Sequence, residues 1–224
     1  MIGKLVVQTF VWFGFMGALL FVSAGTLHWP GAWVYLALMV GLSLTLGVAL
    51  AQRDPGLMNE RLSPPIQKDQ TPADKILLSI LLIAIFGWQI LMGLDIRYGW
   101  STVPSWVQVA GAVILLISIW ICYLTMIENS FAAPVVKIQG ERGQHVITTG
   151  PYSYVRHPMY AGAIVFFAGT ALLLGSWWGL ASVLVFILLL AVRTFIEEKT
   201  LRTGLQGYDD YAARVRYKLI PMVW

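Results

Sequence analysis

Six apolar runs decide what this chain can fold into. They cover, roughly, residues 5–27, 33–51, 76–94, 106–127, 158–174 and 177–196. Most meet or approach the roughly 20 residues that a helix needs to cross a bilayer. In hydrocarbon every backbone N–H and C=O must be satisfied within its own segment, which leaves the helix as the form for such runs. The run at 158–174 is the shortest and is expected to be tilted or partly re-entrant. Only 12% of the residues are charged and 58% are hydrophobic, against about 25% charged in a soluble domain. The expected fold class is therefore an all-α integral membrane protein of about six transmembrane helices, the last two a helical hairpin. A single membrane domain over residues 1–224 accommodates them.

The first run is longer than the roughly 7–15 apolar residues of a signal peptide, and a second follows at once, so it is expected to be retained as a helix. His28-Trp29-Pro30-Gly31 reads as a tight turn between the first two helices, with Trp29 and Trp33 suited to the membrane interface.

Charge supplies the orientation. With the N-terminus in the cytoplasm, that side holds Lys4, Arg53, Arg61, Lys68, Lys75, Lys137, Arg142, Arg156, Arg193, Lys199, Arg202, Arg214, Arg216 and Lys218, leaving Arg97 alone outside. Such a bias predicts both termini cytoplasmic. It also accounts for the net charge of +4 without invoking nucleic acid. Cytoplasmic segments at 52–74, 128–157 and 199–224 are long enough to build a site, the first of them a turn-rich loop, whereas the outer connections at 28–31, 95–105 and 175–176 are short. Cys122 is the single cysteine, so no intrachain disulfide forms, and the three histidines lack metal-ligand spacing. Gly140-Glu141-Arg142-Gly143 has neither the spacing nor the context of a phosphate-binding loop.

Two polar clusters stand out. Residues 150–160 are turn-rich and aromatic and lead straight into an apolar run at Pro158. Proline is favoured in the first helical turn, which puts His157 near the helix N-cap beside free backbone donors. Gly175-Ser176 turns the chain, and the next helix returns Arg193, Glu197 and Glu198 to the same level. Arg193 and Glu197, four apart, share a helix face. Charged residues at helix ends commonly act as anchors, which suffices for Lys199, Arg202 and Arg214. The His157 and Glu197 clusters together are compatible with a cofactor pocket, whose cofactor their chemistry alone does not name. In the tail, Tyr208, Tyr211, Val215 and Leu219 recur at helical spacing, which predicts an amphipathic helix over 207–220 lying on the membrane or against the cytoplasmic domain.

The set Gly150-Pro151-Tyr152, Arg156-His157-Pro158-Met159-Tyr160-Ala161-Gly162, Arg193, Glu197-Glu198, Tyr208 and Tyr211 resembles the C-terminal half of the isoprenylcysteine carboxyl methyltransferase family. The wider group includes phospholipid N-methyltransferases. The resemblance covers about residues 129–221 and implies a methyltransferase core at 106–224 preceded by N-terminal helices at 1–105. It implies S-adenosylmethionine bound on the cytoplasmic side beneath the last two helices. By the same resemblance, Gln144, His145, Val146, Ile147, Tyr152, His157, Pro158, Met159 and Tyr160 would line the cofactor pocket, and Glu197 would receive the ammonium of the methionine moiety. Arg193 would face the acceptor, and Glu198 or His157 would assist where the acceptor must lose a proton. A glutamine that family members can use upstream of the histidine motif has no match, with Lys137 and Gln139 both nearby.

The leading expectation is thus methyl transfer to a lipophilic acceptor entering from the bilayer, foremost carboxyl O-methylation of an isoprenylcysteine-like group. A phospholipid amine and a thiol are the alternatives within that class. An NADPH-dependent membrane sterol-type reductase is the alternative of another class, against which stands the want of a basic cluster for the 2′-phosphate. A scaffold or transporter subunit is the non-enzymatic reading; the lack of mid-helix charges argues against an ion pathway.

Overall fold

The computed structural model describes residues 1–67 and 70–224; Lys68, counted above among the cytoplasmic cations, lies outside them. The helices run α1 Ile2–Ala24, α2 Pro30–Arg53, α3 Pro55–Arg61, α4 Pro72–Tyr98, α5 Ser105–Glu128, α6 Pro158–Leu173, α7 Trp177–Ala181, α8 Val183–Gly204 and α9 Tyr208–Arg214. Among the described residues, five helical segments are long and apolar enough to cross a membrane: α1, α2, α4, α5 and the near-continuous α7–α8, Trp177–Gly204. The protein is an all-helical, multi-pass integral membrane protein. With 16 residues, α6 reaches only about 24 Å, short of the ~30 Å hydrocarbon core. The short run seen in the sequence is a short helix.

Local chemistry sets the boundaries. Gly25 and Gly99 take the left-handed conformation that ends α1 and α4. Thr71 and Pro72 open α4, with the Thr71 side chain accepting from the Asp74 amide. The turn-rich loop expected at 52–74 instead contains α3, because the Asp54 carboxylate accepts from the Leu57 amide and Pro55 occupies the first turn. Asp95, expected in an outer connection, lies within α4, fully buried, and accepts from the hydroxyls of Ser101 and Ser176. Trp29 is likewise no interfacial anchor: it is buried in the core, its indole donating to the Leu174 carbonyl at 3.1 Å.

The closest packing is between α5 and α6. A Cβ on Gly111 would lie 2.4 Å from the Leu173 amide nitrogen, and one on Gly169 would lie 2.6 Å from that of Leu115. Bare backbones therefore touch along this seam, the mode by which helices associate where lipid is as apolar as leucine. Behind it, Phe167 stacks on Phe186 at 4.0 Å between centroids, and Trp88 packs edge-on against both while donating to the Gly179 carbonyl. Large apolar side chains such as Val11, Val22, Ile83, Val109 and Leu188 point outward.

One end of the bundle gathers the start of α1, the end of α2, the start of α4, the end of α5, the start of α6 and the end of α8; it carries most of the basic residues and is called the basic end below. The tail closes over it, and differently from expectation. Helix α9 stops at Arg214, and residues 215–218 are not helical. The reason is Arg156, whose guanidinium takes the carbonyls of Ala212, Val215 and Arg216. The chain then runs beside the histidine motif, the Arg156 and His157 amides donating to the carbonyls of Tyr217 and Lys218. Tyr208, Tyr211 and Leu219 are buried as the pattern required, against protein, the second of the two placements expected for the tail. In place of a long amphipathic helix there is one short helix and an ordered strap.

Candidate active site

At the basic end, five segments enclose one cavity: residues 129–137 after α5, residues 144–147, the histidine motif, the end of α8, and α9. Pro158 at the first turn leaves His157 as the N-cap of α6. Its imidazole is buried, with Nε2 3.1 Å from Glu198 Oε1 and Nδ1 3.7 Å from Glu197 Oε2. The ring lies parallel to that of Tyr160, 5.6 Å away, and the Tyr160 hydroxyl donates to Glu197. Burial alone would push the His157 imidazole down, but hydrogen bonds and charge from Glu197 and Glu198 outweigh it, and His157 titrates above its ordinary value.

The adjacent glutamates differ in surroundings. The Glu197 side chain is 27% exposed and lines the cavity, where it is the one carboxylate among the described lining residues. The Glu198 side chain is 8% exposed and does not line it. Glu198 is held by Arg156 at two points, by His157, and by the Tyr208 hydroxyl at 3.0 Å. One residue of helical rotation separates a cavity group from a group behind its wall.

Arg193 is also behind the wall. Its Nε donates to Asp74 Oδ1 at 3.0 Å and its Nη2 to the Pro134 carbonyl at 2.6 Å. Asp74 in turn accepts from the Gln70 side chain and from the Val136 amide. Together Arg193 and Asp74 fasten residues 134–136 to α4 and α8, and Val135 and Val136 form part of the cavity surface.

Every residue expected to hold the cofactor comes to this one cavity: Gln144, His145, Val146, Ile147, Tyr152, His157, Pro158, Met159, Tyr160 and Glu197. Residues 144–148 belong to no helix or strand, so their backbone groups are free of a ladder. The Gln144 side chain accepts from the Gln139 amide, and the His145 ring sits edge-on to Phe131. The Tyr152 hydroxyl accepts from Asn129, and its carbonyl accepts from Tyr211. Burial raises the titration of Tyr152, Tyr208 and Tyr211, leaving them neutral phenols. Of the two candidates for the missing glutamine, Lys137 lines the cavity, its ammonium on Glu60 and Gln67. Gln139 is turned to the Phe131 carbonyl and Arg142.

Sequence reasoning missed the wall at 129–136 and the end of α8 at Thr200, Leu201 and Leu205. A signal was present: Phe131-Ala132-Ala133-Pro134-Val135-Val136 is an apolar stretch outside any membrane run, and such a stretch has to be buried against something.

The residues suit S-adenosylmethionine. Glu197 offers a counter-charge for an ammonium, the rings of Phe131, Tyr152 and His145 offer faces for a purine, and extended backbone offers amides and carbonyls. Two comparisons bear on this. Residues 106–206 match the family model described as phospholipid methyltransferase. Among solved structures, the chain is similar to a eukaryotic intramembrane Ras methyltransferase, isoprenylcysteine carboxyl methyltransferase, with a TM-score of 0.58 at 19% identity, covering 95% of this chain and 74% of that one. At that identity the likeness is one of fold. No curated protein matches the chain. Over residues 106–206 the chain matches the phospholipid methyltransferase family, whose members are membrane methyltransferases that use S-adenosylmethionine.

Proposed function

We infer that the protein methylates the carboxylate of a lipophilic acceptor, with the cofactor in the cavity at the basic end and that end facing the cytoplasm. The observation that carries this reading is the convergence on one cavity of all the residues expected to hold the cofactor, with Glu197 as its one described carboxylate. The basic bias of that end supports the orientation. Residues 106–224 are the methyltransferase core on this reading, and residues 1–105 are an N-terminal part of the same membrane domain.

Bound S-adenosylmethionine supplies a methyl group on an electrophilic sulfonium. The chain's residues bind and orient. Glu197, held in place by Tyr160 and His157, receives the ammonium. Phe131 and Tyr152 pack against the purine. Tyr208 and Tyr211, buried on α9, shield the cavity from water. Alignment of this kind supplies several kcal/mol of the barrier reduction, about 7–11 in the best intramolecular cases. Arg193 and Glu198 are assigned positioning roles, because each is already engaged: Arg193 by Asp74 and Pro134, Glu198 by Arg156, His157 and Tyr208.

A carboxylate acceptor is favoured because the ionisable groups next to the cavity are occupied with one another, and a carboxylate is already ionised near neutral pH and needs no base. The family match favours a second reading, methylation of a phospholipid amine, which does require a proton to be removed. Methyl-labelled cofactor and a membrane lipid extract separate the two. A product whose label is released as methanol by mild alkali supports carboxyl methylation; alkali-stable label in the lipid fraction supports the amine, and unlabelled lipid overturns both.

A further inference from the structure

Beyond the buried Leu219 the strap runs into a hook whose apolar side chains face away from the protein. The main-chain oxygen of Trp224 accepts from the amides of Lys218, Leu219 and Ile220, which closes residues 218–224 on themselves. At the tip, Met222 takes a φ of 65°, in the left-handed region that non-glycine residues seldom adopt. Met222 is 86% exposed, Val223 75% and Ile220 49%. Neighbouring large apolar residues held outward by a closed turn mark an interaction surface.

The position of the hook says what covers it. Leu184, Leu188, Val192 and Phe195 are exposed along one side of α8, an apolar stripe on a segment long enough to cross the bilayer. Phe195 ends the stripe toward the basic end, where Glu197, Glu198 and Lys199 follow. The Trp224 ring lies 5.6 Å from that of Phe195, and the Lys218 ammonium sits 4.3 Å from the Phe195 centroid and 4.7 Å from that of Trp224. The hook therefore continues the lipid-facing surface at the level where hydrocarbon gives way to headgroups, a boundary suited to tryptophan and lysine. Its charge fits an anionic surface. Residues 214–224 include Arg214, Arg216 and Lys218 and no Asp or Glu. Arg214 and Arg216 are exposed and make no ion pair among the described residues.

Only a short strap separates the hook from the cofactor cavity. The Tyr217 and Lys218 carbonyls accept from the Arg156 and His157 amides at 3.0 and 2.9 Å, and just upstream α9 places Tyr208 and Tyr211 in the cavity wall. We propose that residues 214–224 are a bilayer anchor that couples membrane charge to cofactor binding. Met222 and Val223 enter the leaflet at the basic end, Arg214 and Arg216 bind anionic phospholipid headgroups, and the strap so fixed keeps α9 closed over the cofactor. Cofactor affinity then rises with the anionic lipid content of the membrane, because lipid and cofactor favour the same closed strap. The coupling rests on the cofactor occupying the cavity at the basic end.

The test uses the full chain in nanodiscs of phosphatidylcholine, with or without phosphatidylglycerol, titrated with S-adenosylhomocysteine. The parent protein is expected to bind about fivefold tighter, or more, where phosphatidylglycerol is present. Arg214→Gln combined with Arg216→Gln should lose that increase and keep the affinity seen in phosphatidylcholine. Lys4→Gln, which removes another exposed cation at the same end, should retain the increase. Depth is read separately: a bimane label on Met222→Cys, in a Cys122→Ala background, should be quenched by brominated lipid and shielded from iodide. The proposal is overturned if the parent binds equally in both membranes, if the double arginine variant keeps the increase, if Lys4→Gln loses it as well, or if iodide rather than brominated lipid quenches the label. Failure of the parent to bind S-adenosylhomocysteine in either membrane, with the label still quenched by brominated lipid, counts instead against the cofactor site and removes the coupling with it.

Discussion

The guanidinium of Arg156 meets the carboxylate of Glu198 at two points, Nε to Oε1 at 2.6 Å and Nη2 to Oε2 at 3.2 Å, with both side chains buried. This pair joins the histidine motif to α8, and the same guanidinium holds the carbonyls that end α9. Removing one partner leaves the other charge buried and unpaired, which costs about 3–5 kcal/mol. Glu198→Gln and Arg156→Ala should each lower Tm markedly, while the folded fraction of Glu198→Gln keeps its S-adenosylhomocysteine affinity. Thermal unfolding in detergent, paired with calorimetry at low temperature, checks both halves.

Arg193→Met separates a positioning role from direct contact with the acceptor. The variant leaves Asp74 buried without its cation, so stability should fall by about 3–5 kcal/mol and KM for the acceptor should change little at temperatures where the protein is folded. A large rise in KM with unchanged Tm would place Arg193 against the acceptor instead.

His157 gives stability a pH dependence. Burial opposes its charge, but Glu197 and Glu198 raise its titration above the ordinary value, so the folded state binds the proton more tightly than the unfolded one. That contribution is fully present below the unfolded value of about 6.5 and is lost as pH rises through the higher folded value. Unfolding followed from pH 6 upward should show a decline in the parent protein that His157→Asn lacks.

Gly111→Ala should destabilise by about 1–3 kcal/mol with little local relief, since the added Cβ would meet backbone at 2.4 Å and the Leu172 Cβ at 2.7 Å. Its activity per folded molecule should stay near that of the parent, because the α5–α6 seam at Gly111 lies toward the opposite end of the bundle from the cavity.

What could be read from sequence follows from what each signal encodes. The apolar runs carry their own helices, because backbone in lipid has no other partner. His157-Pro158 marked a helix start, and the Gly175-Ser176 turn made the return of Glu197 a matter of length. Position on the face was harder: Glu197 and Glu198 are adjacent in sequence and only packing shows that one lines the cavity while the other is enclosed by Arg156, His157 and Tyr208. The partner of Arg193 is 119 residues away, a separation no local pattern reports. The tail pattern correctly marked Tyr208, Tyr211 and Leu219 for burial, yet the helix ended early because Arg156, far upstream, claims its carbonyls.

Whether Glu197 and the histidine motif form a site for S-adenosylmethionine is tested most directly by calorimetric titration with S-adenosylhomocysteine. One site per chain is expected in the parent protein, weakened about ten- to a hundredfold in Glu197→Gln by loss of a charge-assisted hydrogen bond, with Tm little changed. Absence of binding in the parent, or equal affinity in Glu197→Gln, would contradict such a site.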